Sequence, residues 1–272
     1  MIFLSLGASV QSSVMLMLAI HNEIERPDHV IFSDTGWDGA QTMEHVDWCE
    51  RQCQRTGIPF HRVSNGNIRD GMVIARAAGS GEYAGRWASM PLFVDTGKEI
   101  SGRIRRQCTK EYKIVPIVRK QRELLGYKKG QRIPPGAAIV QIGISTDEAR
   151  RAQPSKDRWI DNVFPLIDPL KMSRTDCQSW WEKHYPHRKI GKSSCIGCPN
   201  RSNREWLAMK LNRPEEFADA VRFDEQIRHA SGMRGTSFLH VSLKPLGEVG
   251  LNEEQTNLEL EDEIYCAGGC GL

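Results

Sequence analysis

Five cysteines have the type and spacing that suit metal or sulfur chemistry. Cys195 and Cys198 form a Cys-x-x-Cys-Pro turn, and Cys266 and Cys270 lie in a Gly-rich segment at the C-terminus. Cys108 stands among several cations, just before a predicted helix. A Cys-x-x-Cys turn brings two thiolates to one metal ion or cluster. An iron-sulfur cluster has four ligand positions, for which the chain offers five candidate thiols. Two alternatives remain, namely a zinc site and loop thiols that bind no metal.

The composition predicts a reducing environment for these thiols. With 272 residues, 39% hydrophobic and 26% charged, the chain has the make-up of a soluble globular protein. Its longest apolar run, residues 14–20, is too short to span a bilayer, and residues 1–5 lack the basic region of a signal peptide. We therefore expect a cytoplasmic protein with no membrane contact, in which the eight cysteines do not form disulfides.

A loop between the first predicted strand and the first predicted helix has the small residues of a phosphate site. Small side chains let the backbone approach a phosphate closely, and amides at a helix start, together with hydroxyls, bind the anion. The candidate contacts are Ser5, Gly7, Ala8, Ser9, Gln11, Ser12 and Ser13. Taken alone, such a loop is also an ordinary strand-to-helix connection.

Two further segments carry groups that suit a nucleotide site. Asp34, Thr35 and Gly36 follow the second strand, where the carboxylate would bind a ribose hydroxyl or a metal ion. Arg106 and Lys113 belong to a basic segment, residues 102–132, with eleven cations and two acidic residues. Such a surface attracts the phosphates of a nucleotide or a nucleic acid, although a solvated helix face is an equally good interpretation.

The predicted elements bring these segments to one edge of a sheet. Short apolar runs at residues 2–6, 30–32 and 60–63 read as strands, separated by helices up to residue 24 and over residues 40–55. Strands that alternate with helices predict a parallel sheet, whose ligands bind at the carboxyl ends of the strands. The predicted fold class is therefore α/β, a twisted parallel sheet with helices on both faces.

The later chain is predicted to differ in structure. We expect an irregular loop over 66–100, a basic helix over 109–125 kinked near Pro116, and a strand over 137–144. After residue 165 the strand patterns stop, and three helices follow. They are expected over 173–184, 203–211 and 214–230. This pattern predicts a nucleotide-binding domain over residues 1–165 and a helical, cysteine-bearing region with a flexible tail over residues 166–272.

In combination and order, these motifs resemble the PP-loop ATP pyrophosphatase superfamily. The likeness is to its phosphoadenosine-phosphosulfate (PAPS) reductase branch, which includes the DndC-type DNA phosphorothioation proteins, and especially to compact viral members. The SGGxDS loop of that family matches residues 7–12, its DTG motif residues 34–36, and its R-x-C-T-x-x-x-K-x-x-P segment residues 106–116. The Cys-x-x-Cys-Pro turn and a terminal Cys-Gly-Leu, similar to the catalytic tail of the reductases, complete the set.

The resemblance implies roles for the matching residues, with two departures. Gln11 stands where ATP-cleaving members carry Asp, so nucleotide binding is expected while cleavage of the ATP α-β bond stays open. Thr109 replaces a second adjacent cysteine of the cluster-containing reductases, so a tail thiol would complete the ligand set. The implied metal ligands are Cys108, Cys195, Cys198 and Cys266. The implied catalytic groups are Cys270, Asp34 and Lys113.

Three functions follow as hypotheses. The first is an iron-sulfur enzyme with a [4Fe-4S] cluster that binds ATP and Mg²⁺ and thiolates a DNA, tRNA or nucleotide acceptor after adenylation. The second is an APS or PAPS reductase in which Cys270 attacks the sulfur of the bound sulfonucleotide. The third is a zinc-containing nucleic-acid-binding module without activity. The expected protein partner is a sulfur donor or a thiol reductant. The sequence leaves open whether the protein forms a homodimer.

Overall fold

A five-stranded parallel sheet lies at the centre of the computed structural model, which describes residues 1–77, 90–97, 102–104, 107–228 and 235–251. The strands in chain order are β1 (Ile2–Leu6), β2 (His29–Asp34), β3 (Phe60–Ser64), β4 (Phe93–Asp95), β5 (Gly102–Arg103), β6 (Ala138–Ile142), β7 (Ile160–Val163) and β8 (Thr236–Phe238). The central sheet has the order β3-β2-β1-β6-β7, and every neighbouring pair is parallel. A separate antiparallel sheet has the order β5-β4-β8.

Helices cover both faces of the central sheet. They are α1 (Val10–Ile20), α2 (Ala40–Arg55), α3 (Ile68–Ala77), α4 (Val115–Leu124), α5 (Arg174–His184), α6 (Asn203–Asn212) and α7 (Pro214–Ile227). Leu4 of β1 and Val30 of β2 belong to the core formed with α1, α2 and α5. The alternate residues Phe3 and Ile31 belong to the opposite core, which includes Ile117 of α4. The predicted α/β fold, a parallel sheet with helices on both faces, is confirmed.

Two sequence-based expectations about the elements were wrong, and one strand was missed. Residues 66–100 are not a continuous irregular loop, because α3 and β4 lie within them. Strands do not end before residue 165, because β8 pairs with β4. β7 was not anticipated, although it forms one edge of the central sheet. The helix expected over 109–125, interrupted or kinked near Pro116, consists of a π-helical segment, Thr109–Ile114, that runs directly into α4.

A second hydrophobic core lies beside the central sheet. It is built from α3, α6, α7 and residues that flank the antiparallel sheet, and it encloses Trp37, Tyr112 and Trp206. α5, the first helix after residue 165, instead packs against α1 on the central sheet. The division of the chain at residue 165 stays a prediction. Within the described ranges, no helix combines the length and the apolar character needed to cross a membrane.

The strand order creates one point at which the chain reverses direction across the sheet. From β1 the chain continues outward to β2 and β3, and it then returns to the other side of β1 to form β6 and β7. Ligands of open parallel sheets bind in the crevice beyond the carboxyl ends of the two strands at such a point. The loops after β1 and β6 therefore line the position where this fold would hold a ligand.

Candidate nucleotide and thiol site

The loop after β1 ends in a capped helix start. Ala8 has the left-handed φ of 54°, which turns the chain sharply before Ser9, the residue that precedes α1. The Oγ of Ser12 accepts a hydrogen bond from the backbone N–H of Ser9 at 3.2 Å. The first turn of α1 contains no acidic residue, so its positive end is not neutralised within the helix. This arrangement suits the binding of an anion such as phosphate.

The loop after β6 closes against this helix start. Gly143 lies so near Ser12 that a Cβ at Gly143 would stand 2.7 Å from the Ser12 Cα, so a larger side chain would push the two loops apart. One turn further, the Nε2 of Gln11 donates a hydrogen bond to the Oε2 of Glu148 at 3.2 Å, and Glu148 also pairs with Arg151. Gln11 stands at the position of an Asp in the family that the sequence resembles. Its side chain thus contacts a carboxylate on the other side of the crevice.

The hydroxyls of Ser9, Ser12 and Ser13 in the loop have hydrogen-bond partners inside the protein. Ser5 and Ser13 are buried, and the Oγ of Ser13 lies 2.8 Å from the Nε2 of His45 in α2. Burial lowers the pKa of His45 to about 4, so its imidazole is neutral at pH 7. His45 in turn packs against the rings of Trp48 and Trp181. Binding of an anion would therefore depend on the backbone amides, and the nucleotide contacts predicted for the loop stay a prediction.

A network of hydrogen bonds orders the segment after β2. The Oδ1 of Asp34 accepts a hydrogen bond from the backbone N–H of Gly36 at 2.7 Å. Thr35 donates from its backbone N–H and from its Oγ1 to the Oδ2 of Asp38, at 3.1 and 2.9 Å. Sequence reasoning missed Asp38. The feature of the sequence that indicated Asp38 was a carboxylate three residues after Thr35 in a Gly-rich turn. This spacing favours hydrogen bonds from the backbone to a side chain.

The cysteine turn lies directly against this segment. The Oγ1 of Thr35 is 3.2 Å from the Sγ of Cys195, and Asp38 forms an isolated antiparallel bridge with Cys195. The backbone N–H of Ile196 donates to the carbonyl of Trp37 at 2.9 Å. Burial raises the pKa of Cys195 to about 12, and the charges of Asp38 and Cys108 act in the same direction. Without a metal ion or another cation, this thiol therefore stays protonated at pH 7.

Lys113 supplies a positive charge to the same place. Its ammonium group opposes the upward shift in the pKa of both Asp38 and Cys195, which burial causes. Lys113 lies in the π-helical segment, and short π-helical insertions occur often at functional sites. The segment is fixed to β2 because the Oγ of Ser33 donates to the carbonyl of Tyr112 at 2.7 Å. The charge of Lys113 therefore acts on the thiol of Cys195, and its predicted catalytic role stays a prediction.

The thiols have the donor chemistry for a thiophilic metal, but their full ligand set is not visible. Cys108 and Cys195 both pack against the second hydrophobic core, and Cys198 is buried. Among the described residues, no three His, Cys, Asp or Glu side chains are grouped closely enough to hold a metal ion. Cys266, the predicted fourth ligand, and Cys270 lie outside the described residues, as does Arg106. The four-cysteine assignment therefore stays a prediction.

The other cysteines in the described ranges belong to the central core. Cys49, Cys53 and Cys177 are fully buried among the side chains between α1, α2 and α5. Burial raises the pKa of Cys53 and of Cys177 to about 12, which makes both thiols poor nucleophiles at pH 7. These three residues are therefore part of the hydrophobic core.

The basic segment divides between two ends of the sheet. Lys113 lies beside the cysteine turn, and Arg103 hydrogen-bonds to Asn200 just after it. Lys128, Lys129 and Arg132 are exposed in the loop that follows α4 and leads into the amino end of β6. That end is opposite the carboxyl edge where the candidate site lies. The segment therefore does not form one continuous surface at the site.

Comparisons with known proteins include a distant structural likeness. No protein-family model matches the chain, and no curated protein matches it. Among solved structures, the U34-tRNA thiolase NcsA from Methanococcus maripaludis, with its [4Fe-4S] cluster, is similar to it. The match has 12% sequence identity and a TM-score of 0.36, and it covers 85% of this chain and 72% of that chain. A likeness at this level assigns neither a family nor an activity to the chain.

Proposed function

We propose that this protein is a PP-loop-type enzyme that binds an adenine nucleotide after β1 and performs sulfur chemistry at the adjoining cysteine turn. The reaction proposed is the adenylation-dependent thiolation of a nucleic-acid or nucleotide acceptor. An oxygen of the acceptor attacks the α-phosphorus of ATP, and pyrophosphate leaves. A sulfur nucleophile then forms a bond to the activated carbon or phosphorus, and AMP departs with the acceptor oxygen.

One observation carries the proposal. The side chain that joins the nucleotide side to the sulfur side is Thr35, whose Oγ1 lies 3.2 Å from the Sγ of Cys195. Thr35 directly follows β2, and β2 is hydrogen-bonded to β1, which is followed by the loop that leads into α1. Loops that follow adjacent parallel strands lie at the same edge of the sheet. A nucleotide held by the helix start and a sulfur atom near Cys195 would therefore occupy neighbouring positions.

The residues around this junction suit the charges that such a reaction develops. The uncompensated positive end of α1 would stabilise the pyrophosphate leaving group, as fixed dipoles do at other phosphoryl-transfer sites. The ammonium of Lys113 faces Asp38 and Cys195, and it would favour a thiolate or another anion there. Mg²⁺ would require carboxylate ligands, for which Asp34 at the end of β2 and Glu148 in the segment after β6 are candidates.

The proposed metal centre rests on the thiol donors. Cys108, Cys195 and Cys198, with Cys266 from the C-terminal segment, would hold an iron-sulfur cluster, which when bound supplies a site for the transferred sulfur. Zinc accepts the same ligands. A thiolase with a [4Fe-4S] cluster stands among the distant structural likenesses, but the proposal rests on the contacts around Thr35 and Cys195.

Nucleotide binding and pyrophosphate release test the proposal together. The full chain, purified without oxygen, is titrated with ATP, APS and PAPS, and pyrophosphate is then measured with and without bulk tRNA or DNA. The proposal predicts ATP binding and pyrophosphate release that requires an acceptor. Binding of APS or PAPS with release of sulfite, lost in Cys270→Ser, would establish the reductase instead. Failure to bind any of the three nucleotides would overturn both.

A further inference from the structure

We propose that the end of α5 and the segment after it bind a single-stranded stretch of nucleic acid and lead it toward the cysteine turn. The inference rests on the proposed function and deepens it, because it assigns a surface to the nucleic-acid acceptor. We call this surface the aromatic-basic surface, since it combines partly exposed rings with exposed cations. Its main members are Trp48, Trp180, Lys183, His184, Arg188 and Lys189.

A stacked pair of rings lies at the end of α5. Trp180 and His184 are one helical turn apart, and their ring centroids are 4.0 Å apart with an angle of 19° between the planes. The Nδ1 of His184 lies 2.7 Å from the carbonyl oxygen of Trp180, a contact that holds the imidazole in place. Trp180 is half-buried and His184 is exposed, so the pair is open to solvent. Bases of single-stranded nucleic acids stack on exposed rings of this kind.

A second stacking position lies on α2. The ring of Tyr185 connects it to the first, with its centroid 6.1 Å from that of Trp180 and 5.2 Å from that of Trp48. The guanidinium of Arg188 lies over the ring of Trp48, with its Cζ 4.9 Å from the ring centroid. Trp48 and Arg188 are both half-buried. An arginine plane held over an indole offers a base a stacking partner and a phosphate a positive charge.

The charge around these rings is positive. Residues 183–192 contain four Lys or Arg residues and two histidines but no acidic residue. Arg188 pairs with Glu44, whereas Lys183 and Lys189 are exposed and take part in no ion pair within the part of the chain that the structure describes. Rings beside unpaired cations are the combination by which proteins bind single strands. A duplex hides the faces of its bases, so the rings favour an unpaired segment.

The basic segment leads from the rings to the cysteine turn along α2. The carbonyl of Arg188, which lies over Trp48, accepts a hydrogen bond from the Nε1 of Trp181 at 2.7 Å. Further along, a Cβ at Gly191 would lie 2.8 Å from the Oε1 of Gln41, near the start of α2. Cys195 then forms its bridge just before that helix. A strand that follows this segment would therefore reach the edge of the sheet where the candidate site lies.

The experiment measures how tightly the full chain binds fluorescein-labelled oligothymidylate and oligouridylate, each about 15 nucleotides long, by fluorescence anisotropy at several salt concentrations. Trp180→Ala removes a stacking ring, and Trp180→Phe keeps one. One double variant, Lys183→Gln with Lys189→Gln, removes two exposed cations from the surface. The matched control, Lys128→Gln with Lys129→Gln, removes two exposed cations from the loop after α4, which packs on the opposite face of the central sheet.

Stacking and charge should affect binding in different ways. We expect Trp180→Ala to weaken binding roughly 5-fold or more without a change in its salt dependence, since a stacked base contributes no charge. The Lys183 and Lys189 double variant should reduce the slope of log K against log salt by about 1.4, because each phosphate contact of a single strand contributes about 0.7. Trp180→Phe and the control should stay close to wild type.

Several outcomes would overturn the inference. They are equal affinity for a duplex of the same length, an equal loss in the control, and a wild type that binds neither oligonucleotide but forms a dimer that Trp180→Ala dissociates. That last result would make the surface an interface between two copies of the chain. Should Trp180→Ala fail to fold, His184→Ala decides, because His184 is exposed. Nucleotide binding and pyrophosphate release are measured separately, so a chain that keeps both while failing these tests loses only the surface assigned here.

Discussion

The ring of Trp37 lies directly against Gly197, so that a Cβ at Gly197 would overlap the indole. Trp37 follows the Asp34–Gly36 segment, and Gly197 separates the two cysteines of the turn. The indole Nε1 also donates to the Oδ2 of Asp219 at 2.7 Å, which fixes the ring from its far side. The segment after β2 and the cysteine turn are therefore packed as a single unit.

Gly197→Ala should separate these two segments. The added methyl group must displace either the ring or the turn, and overpacking of this kind costs about 1–3 kcal/mol. We expect a matching fall in the free energy of unfolding, measured with urea, and a loss of metal binding by the turn. Gly250→Ala is the control, because a Cβ at Gly250 meets no atom within 4 Å. Equal stability of the two variants would show that the contact between Trp37 and Gly197 is unimportant.

The left-handed backbone at Ala8 predicts an unusual response to glycine. Ala8 and Ala19 are both buried, so replacement of either by glycine removes a buried methyl group. At Ala8 the loss is offset because glycine adopts the left-handed φ of 54° without the steric cost of about 1 kcal/mol. Glycine at Ala19, inside α1, also costs about 1 kcal/mol in helix stability, so Ala8→Gly should destabilise the fold about 2 kcal/mol less than Ala19→Gly, as measured by urea unfolding. An equal effect of the two substitutions would contradict the geometry of the loop.

His45 predicts a loss of stability in mild acid. Burial lowers its folded-state pKa to about 4, below the ordinary value of 6.5, so the unfolded chain binds the proton more tightly. The contribution is complete above pH 6.5 and is lost as the pH falls toward 4. It amounts to about 3 kcal/mol for a difference of this size.

The measurement is the free energy of unfolding between pH 4 and 7, for wild type and for two variants. His45→Gln should have a shallower pH dependence, whereas His187→Gln, which changes an exposed histidine, should keep the wild-type slope. Identical slopes for wild type and His45→Gln would rule out the neutral, buried state of His45.

Gln11→Asp should create a cation-dependent site. The new carboxylate would lie close to Glu148, which now accepts a hydrogen bond from Gln11 at 3.2 Å. Two adjacent carboxylates repel each other unless a cation lies between them. The melting temperature of Gln11→Asp should therefore fall without Mg²⁺ and recover more strongly with Mg²⁺ than that of wild type. Gln11→Asn, which adds no charge, should lack this recovery, and a similar Mg²⁺ response in both variants would count against the predicted contact.

The sequence predicted the central elements because their patterns are local. Short apolar runs marked β1 to β3 and β6, and helical spacing marked α2 and α5 to α7. β7 escaped notice because Ile160–Val163 is short and half polar, and α3 because Gly71 interrupts its pattern. A Cβ at Gly71 would overlap the hydroxyl of Tyr112, so the reason for that glycine lies in a distant contact.

The site was predictable in its motifs but not in its connections. Cys195, Lys113 and the segment after β2 were each singled out from residue type and spacing. Asp38 was missed because its role depends on a bridge to Cys195, which is far away in the sequence.

Adjacency of the nucleotide loop and the cysteine turn is tested most directly by titrating ATP into the anaerobically purified full chain. The visible circular dichroism of the metal centre is followed during the titration, since it reports changes around the thiolate ligands. We expect a brown protein whose visible circular dichroism spectrum changes saturably with ATP. A colourless protein, or a cluster spectrum that stays constant while ATP binds, would contradict it.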